Sequence, residues 1–231
     1  MREHDVRCVP VSETSVMLYL ADTIDVELAT VIGEVSRVIQ SEIPGVREVT
    51  PSYTSILVEV GPYQDDFENL AERVVAIAQG VLAAGLDSRE GKLIELPVYY
   101  HSELGQDLEA LAEYAGMSVA EVVEVHAGRD YTVCAIGFAP GFAFLAEVDE
   151  RIAMPRQASP RGRVRAGSVG IAGKQTAVYP ADTPGGWQLI GNCPVSLYDP
   201  ANDPPSPFEV GDRVRFFPID RDEFIERGGR V

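Results

Sequence analysis

The chain has 231 residues, 45% hydrophobic and 24% charged, with 36 carboxylates against 19 lysines and arginines and a formal net charge of -17. That is globular material for one or two domains, long enough to bury a core without disulfide staples. The acidic balance argues against nonspecific nucleic-acid binding and against docking on an anionic membrane, since both rely on neutralising negative charge.

The first half reads as alternating strands and helices. Residues 15–20 form an apolar strand, and Asp25 is placed to cap the helix after it. Val26, Ala29, Ile32, Val35 and Ile39 recur at helical spacing, and Pro44-Gly45 stops the run. Strands follow at 46–49 and 55–60. Asp65 and Asp66 open a second helix with Phe67, Leu70, Val74, Ile77 and Val81 on its buried face, ended by Gly85. Residues 92–98 are the next strand, open to either side of a boundary near Ser88-Arg89-Glu90-Gly91. The order predicts a small two-layer βαββαβ domain over 1–89, with no catalytic pattern in it, and a second domain over 90–231.

The second domain opens on a helix, a glycine turn and a helix across 107–126, with Ser118 and Glu121 spaced for a capping box. The pattern has the outline of a DNA-reading helix-turn-helix. A recognition helix sits among phosphates, whereas these helices carry Glu109, Glu113, Glu121 and Glu124, so a hairpin covering one side of a barrel is the better reading. Residues 131–136 are a strand running into the apolar loop Gly137-Phe138-Ala139-Pro140-Gly141-Phe142, which reads equally as a buried corner or a pocket wall. Further short strands are expected at 168–172, 176–179 and 194–198, a loop at 199–205, a turn and final strand at 211–219, and a short terminal helix or tail at 220–226. Short strands between glycine and proline corners are the pattern of a barrel.

The stretch 155–192 stands apart. No carboxylate occurs between Glu150 and Asp182, while Arg151, Arg156, Arg161, Arg163, Arg165 and Lys174 all fall in that window. A cationic zone in an acidic chain is a candidate anion site, and arginine offers a planar fork for carboxylate or phosphate. Arg156, Arg161 and Gln175 are the candidate catalytic residues. Ser168, Tyr179, Trp187, Gln188, Pro140 and Phe142 are the candidate substrate-binding residues, with Trp187 open between pocket wall and barrel core. His4, His101 and His126 lack a supporting motif, and only His101 follows a strand end. There is no G-x-S-x-G, Walker A or H-E-x-x-H sequence, so a self-contained hydrolase, ATPase or metalloprotease is unsupported and no metal is expected. Cys8, Cys134 and Cys193 are widely spaced, fitting reduced thiols in the cytoplasm. A polar N-terminus and the lack of a long apolar run fit the same compartment.

Four motifs together carry a family resemblance. They are Gly137 to Phe142, Pro155-Arg156 with Pro160-Arg161, the run from Ala166 through Gly167, Ser168 and Gly170 to Gly173, and Tyr179-Pro180 with Thr183-Pro184-Gly185-Gly186-Trp187. The chain resembles the B-type component of 5-oxoprolinase, a family also described as allophanate hydrolase subunit 1 or as KipI-like proteins. The resemblance implies an α+β architecture, with a cyclophilin-like β-barrel as the C-terminal domain behind the smaller one. It implies a hetero-oligomer with the C-type component, itself a related barrel, and the A-type component. That complex uses ATP to open 5-oxoproline, a small anionic lactam, to glutamate, and this chain is not expected to be active alone. The alternatives are a KipI-like inhibitor of a sensor histidine kinase and an amide-acting protein related to allophanate hydrolase or urea carboxylase. Two positions depart from the family's pattern. Asn192 stands where arginine is frequent, and Phe144 where tyrosine is.

Overall fold

The computed structural model describes residues 6–62, 67–85 and 91–231, without the side chains of Phe67 and Glu68. The helix opening at Asp65 and Asp66, the boundary at 88–90 and His4 lie outside the described residues. The chain forms two compact units, Met1–Gly91 with Glu209–Asp212, and Lys92–Phe208 with Arg213–Val231.

In the first unit, β1 (Arg7–Ser12), β2 (Ser15–Tyr19), β3 (Val46–Pro51) and β4 (Ser55–Val60) make an antiparallel sheet in the order β1-β2-β4-β3. Strand β4 alternates, with Ile56, Val58 and Val60 buried, so one face of the sheet is apolar. Helix α1 (Leu28–Glu42) brings Ala29, Ile32, Val35 and Ile39 to the core, and α2 (Phe67–Ala84) brings Leu70, Val74 and Ala78. Asp25 does not cap α1. Its Oδ1 accepts the Glu27 amide at 3.0 Å and so builds the turn before the helix.

The expected βαββαβ order is corrected here to ββαββα. β2, α1 and β3 still form a split unit with β4 between the two strands. The edge beside β2 is filled by β1, which folds back across a tight turn where the Thr14 amide donates to Ser12 Oγ at 3.1 Å. A strand after α2 therefore has no vacant edge there. The sequence division also left 209–212 with the second domain, whereas they pack with the first unit.

The second unit is built on seven strands: β5 (Leu93–Val98), β6 (Asp130–Ile136), β7 (Ala143–Ala146), β9 (Ser168–Ala172), β10 (Gln175–Val178), β12 (Gln188–Asn192) and β13 (Arg213–Pro218). Their order is β12-β9-β10-β7-β6-β13-β5, antiparallel except for the β5–β13 pair. The two edges meet. Tyr99 and Asn192 exchange backbone hydrogen bonds at 2.9 and 3.1 Å, joining β5 to β12 and closing the sheet into a barrel-like form. The fold class is thus α+β, with a barrel-like sheet as its larger part.

A separate ribbon, β8 (Arg161–Val164) with β11 (Thr183–Gly185), accompanies the barrel. Helices α3 (Leu108–Ala115) and α4 (Val119–Ala127) are joined by Gly116, which takes a left-handed conformation at φ 65°. The capping box at Ser118 and Glu121 is formed. Helix α5 (Arg221–Glu226) is capped by Asp220. The strand expected at 194–198 is irregular, since Pro194 lacks a donor and the sheet edge beside β12 is already taken by Tyr99.

His126 is fully buried, and its hydrogen bonds define its tautomer. Thr176 donates its hydroxyl proton to Gly170 O at 3.0 Å, so its oxygen accepts from Nε2–H of His126 at 2.9 Å. Nδ1 is then the acceptor for the Tyr100 hydroxyl at 2.7 Å. Burial pushes the imidazole down to about 3, so it stays neutral in the folded protein.

Two outcomes follow from this core. Gly191→Val places a side chain against Tyr99 O at 2.7 Å and Val98 Cγ1 at 2.9 Å, and is expected to destabilise by about 2–3 kcal/mol in urea unfolding because it opens the seam. Unfolded His126 takes up a proton near pH 6.5 and folded His126 near 3, so the unfolded state binds more protons between these values. Stability falls as pH drops through that window, by roughly 1.4 kcal/mol per pH unit from this residue alone, and His126→Gln flattens the slope in urea titrations between pH 6.5 and 4.5.

Candidate functional site

The stretch 155–192 converges on one carboxylate from outside it. Asp107 precedes α3 and makes no side-chain cap. Its oxygens instead accept from Arg161 Nη2 at 2.6 and 2.8 Å, from Gln157 Nε2 at 3.1 Å and from the Leu189 amide at 2.7 Å. Arg161 also donates to Trp187 O at 3.1 Å. Gln157 Nε2 donates to Gln188 Oε1 at 2.7 Å, and Gln188 Nε2 donates to Pro155 O at 2.6 Å. Burying a carboxylate is costly unless its lone pairs are satisfied, and here they are. Arg161 and Gln188, expected to meet substrate, are thus held by the protein itself.

The other cations of the window are mostly paired as well. Arg151 bonds Asp149 at 2.8 Å, Arg163 bonds Asp182 at 2.8 Å through Nε, and Lys174 lies 3.4 and 2.9 Å from Glu147 and Glu150. Arg151 and Arg129 hold the Asp149 carboxyl well below the usual carboxylate range. Among the described residues, Arg156 and Arg165 have no carboxylate within ion-pair distance.

Arg156 stands over Trp187, its guanidinium carbon 5.7 Å from the ring centroid. Beneath it is a cavity of about 200 Å³ whose walls include Phe138, Phe142, Phe144, Tyr179 and Trp187. Phe142 is the hub of the walls. It meets Phe138, Phe144, Tyr179 and Trp187 edge-on, with centroids 4.9–5.7 Å apart. The backbone at Gly185 runs along the rim, and a Cβ there would collide with the Tyr179 hydroxyl. Burial raises the Tyr179 hydroxyl, opposed by a bond to the Trp187 backbone and by the charges of Arg156 and Arg161, so it remains a proton donor at neutral pH. Phe138 sits at φ 71° and is 65% exposed. An exposed phenylalanine on left-handed backbone costs on the order of 1–3 kcal/mol, a strain that clusters at functional sites.

The structure therefore brings Arg156, Phe142, Tyr179 and Trp187 together and separates the rest. Trp187 is both core and wall. Pro140 is exposed on the loop beside Phe142. Gln175 opens β10 at the end away from Tyr179, about 13 Å along the strand. Ser168 and Asn192 line a second cavity. His101 turns Nδ1 onto the Glu103 amide at 3.1 Å, shaping the loop after β5. Cys134 and Cys193 are buried, their thiols pushed up to about 12 and about 11. Among the described residues, no group of His, Cys, Asp or Glu is placed to hold a metal, and no helix is long and apolar enough to cross a membrane.

This architecture has relatives. A family model described as carboxyltransferase domain, subdomain C and D, matches residues 6–208. The B-type component of 5-oxoprolinase from Bacillus subtilis is 36% identical over 92% of this chain and 92% of its own length. That of Escherichia coli O157:H7 is 39% identical over 92% of this chain and 95% of its own. The chain belongs to the 5-oxoprolinase B-component family. Among solved structures, TTHA0988 superposes with a TM-score of 0.76 at 32% identity over 90% of this chain, and the chain spans 40% of TTHA0988. The Pyrococcus horikoshii protein PH0987 has a TM-score of 0.57 at 38% identity, covering 94% of this chain and 99% of its own. The Kluyveromyces lactis urea amidolyase shares the fold at 17% identity and a TM-score of 0.72, over 96% of this chain and 15% of its own.

For this member of the 5-oxoprolinase B-component family, sequence reasoning missed Asp107 and Gln157 as parts of the site, and marked Phe144 only as a departure from the family's pattern. An aspartate at a helix start reads as a cap, and only the fold shows it turned away. Asp107→Ala strands Arg161 and is expected to cost about 2–4 kcal/mol in denaturant unfolding, below the loss for a fully buried pair because the Arg161 side chain keeps 24% of its surface. Arg156→Ala should cost less than about 1 kcal/mol in the same assay, as an exposed cation over an aromatic ring.

Proposed function

We propose that the chain is the B-type component of an ATP-dependent 5-oxoprolinase complex, acting in the cytoplasm with the A-type and C-type components to open 5-oxoproline to glutamate. The observation that carries this reading is the match, over 90–92% of the chain at 35–39% identity, to three curated proteins named as this component of 5-oxoprolinase. The Arg156 pocket supports it on chemical grounds. Its aromatic walls suit a small ring, and Arg156 supplies one uncompensated positive charge for one carboxylate.

In this reading the chain's contribution is binding and orientation. Trp187 and the phenylalanines exclude water from the ring, Arg156 fixes the carboxylate, and the neutral Tyr179 hydroxyl holds the rim. A lactam is a resonance-stabilised amide, and ATP supplies the driving force for opening it within the complex. Asp107 and Arg161 act as positioning residues that hold Trp187 and Leu189 in place.

The test is co-expression with the A-type and C-type components and measurement of ATP-dependent glutamate release from 5-oxoproline. Wild-type protein is expected to support turnover. Arg156→Ala is expected to lower kcat/KM roughly 10–100-fold while leaving the unfolding midpoint nearly unchanged. A well-folded complex with no ATP-dependent glutamate release would overturn the reading.

One observation favours a protein-binding role instead, as in KipI-like inhibitors of a sensor histidine kinase. Phe138 projects an exposed ring from strained backbone. Kinase-domain binding that is lost in Phe138→Ala and kept in Arg156→Ala would support that alternative.

A further inference from the structure

The second unit contains a second cavity, of about 410 Å³. Its polar lining is Glu103, Gln106, Arg163, Arg165, Ser168 and Asn192. Ser168 is 2% exposed and lines the cavity. A hydroxyl on a cavity wall can donate to and accept from a ligand held there. The Gln106 and Arg165 side chains on its walls are exposed to solvent. Asn192 commits its amide N–H to Ala166 O at 3.1 Å.

The charges on the walls limit the ligand. Arg163 is matched by Asp182, so Arg165 is the cation on that side without a bonded carboxylate among the described residues. Glu103 contributes a negative charge across the cavity, and it already lies 3.6 Å from Arg221. A doubly charged anion would meet one uncompensated arginine and a facing carboxylate. A singly charged one is balanced.

We propose that this cavity is a second ligand site, for a small carboxylic acid of single negative charge. Arg165 engages the carboxylate, and the Ser168 hydroxyl bonds the polar head. The site is separate from the Arg156 pocket. Val164 and Leu189 line it, and they pack in the same apolar cluster as Phe142, Tyr179 and Trp187, which wall the other pocket. The proposal needs no part of the 5-oxoprolinase reading, because it concerns binding to the chain by itself.

The experiment is titration of the full chain with acetate, 5-oxoproline and L-glutamate, followed by NMR chemical-shift changes, with inorganic phosphate as competitor. At least one acid is expected to bind, with shifts at Ser168 and Asn192. Arg165→Gln and Ser168→Val should each weaken that binding about tenfold or more, while Arg156→Ala leaves it within about twofold. Ser168→Ala replaces the valine variant if the latter fails to fold. Three outcomes overturn the proposal: no binding of any of the acids at millimolar concentration, loss in Arg156→Ala with retention in Arg165→Gln, or equal competition by phosphate. A complex that lacks 5-oxoprolinase activity leaves the binding result intact, so the two readings fail separately.

Discussion

The Asp107 carboxylate is the constraint on which the larger unit depends. It is nearly buried, and it is stable there because four hydrogen bonds from Arg161, Gln157 and Leu189 reach it. Those donors come from two segments distant in sequence from Asp107, residues 157–161 and β12. The carboxylate thereby fixes the loop before α3, the start of β8 and the strand β12 relative to one another. Trp187 is drawn into the same arrangement because Arg161 also bonds its carbonyl. The aromatic pocket is a consequence of this ionic pin, whose removal would leave a guanidinium without its partner in a partly dry site.

The charge pattern changes meaning once the chain is folded. Along the sequence, six cations lie in a window without carboxylates. In space, Asp107, Asp149, Asp182, Glu147 and Glu150 return to meet four of them. In an acidic chain, leaving a cluster of arginines unpaired would forgo Coulomb energy that short ion pairs recover. Two arginines are left over, and each stands at a cavity. Arg156 faces aromatic walls, and Arg165 shares a cavity with Ser168, Gln106 and Asn192. Selective pairing thus turns a broad basic stretch into two positions able to take an anion.

The barrel positions both cavities by closing on itself. Strands β5 and β13 come from opposite ends of the second unit and pair in parallel, which needs the whole intervening chain as a crossover. Closure at Tyr99 and Asn192 then removes the exposed edge. Gly191 makes that approach possible, because any side chain there would meet the Tyr99 backbone. Once closed, the sheet gives β12 a fixed register, which puts Leu189 and Asn192 in the wall of the second cavity and Trp187, just before the strand, in the wall of the first.

Sequence by itself determined the periodic parts. The helical spacing of α1 and α2, the capping box at Ser118, the alternation in β4 and the final strand before α5 are local, and local sterics and burial decide them. The four motifs, taken together, also marked the family. Only tertiary structure decided the partners. It put β1 on the edge expected for a later strand, sent the strand at Leu93–Val98 to the barrel, turned Asp107 from a helix start to Arg161, and split Ser168 from Tyr179 into different cavities. The reason is physical. Which edge a strand fills, and which carboxylate an arginine meets, depends on groups tens of residues away, and their energies are settled only by burial in the completed fold.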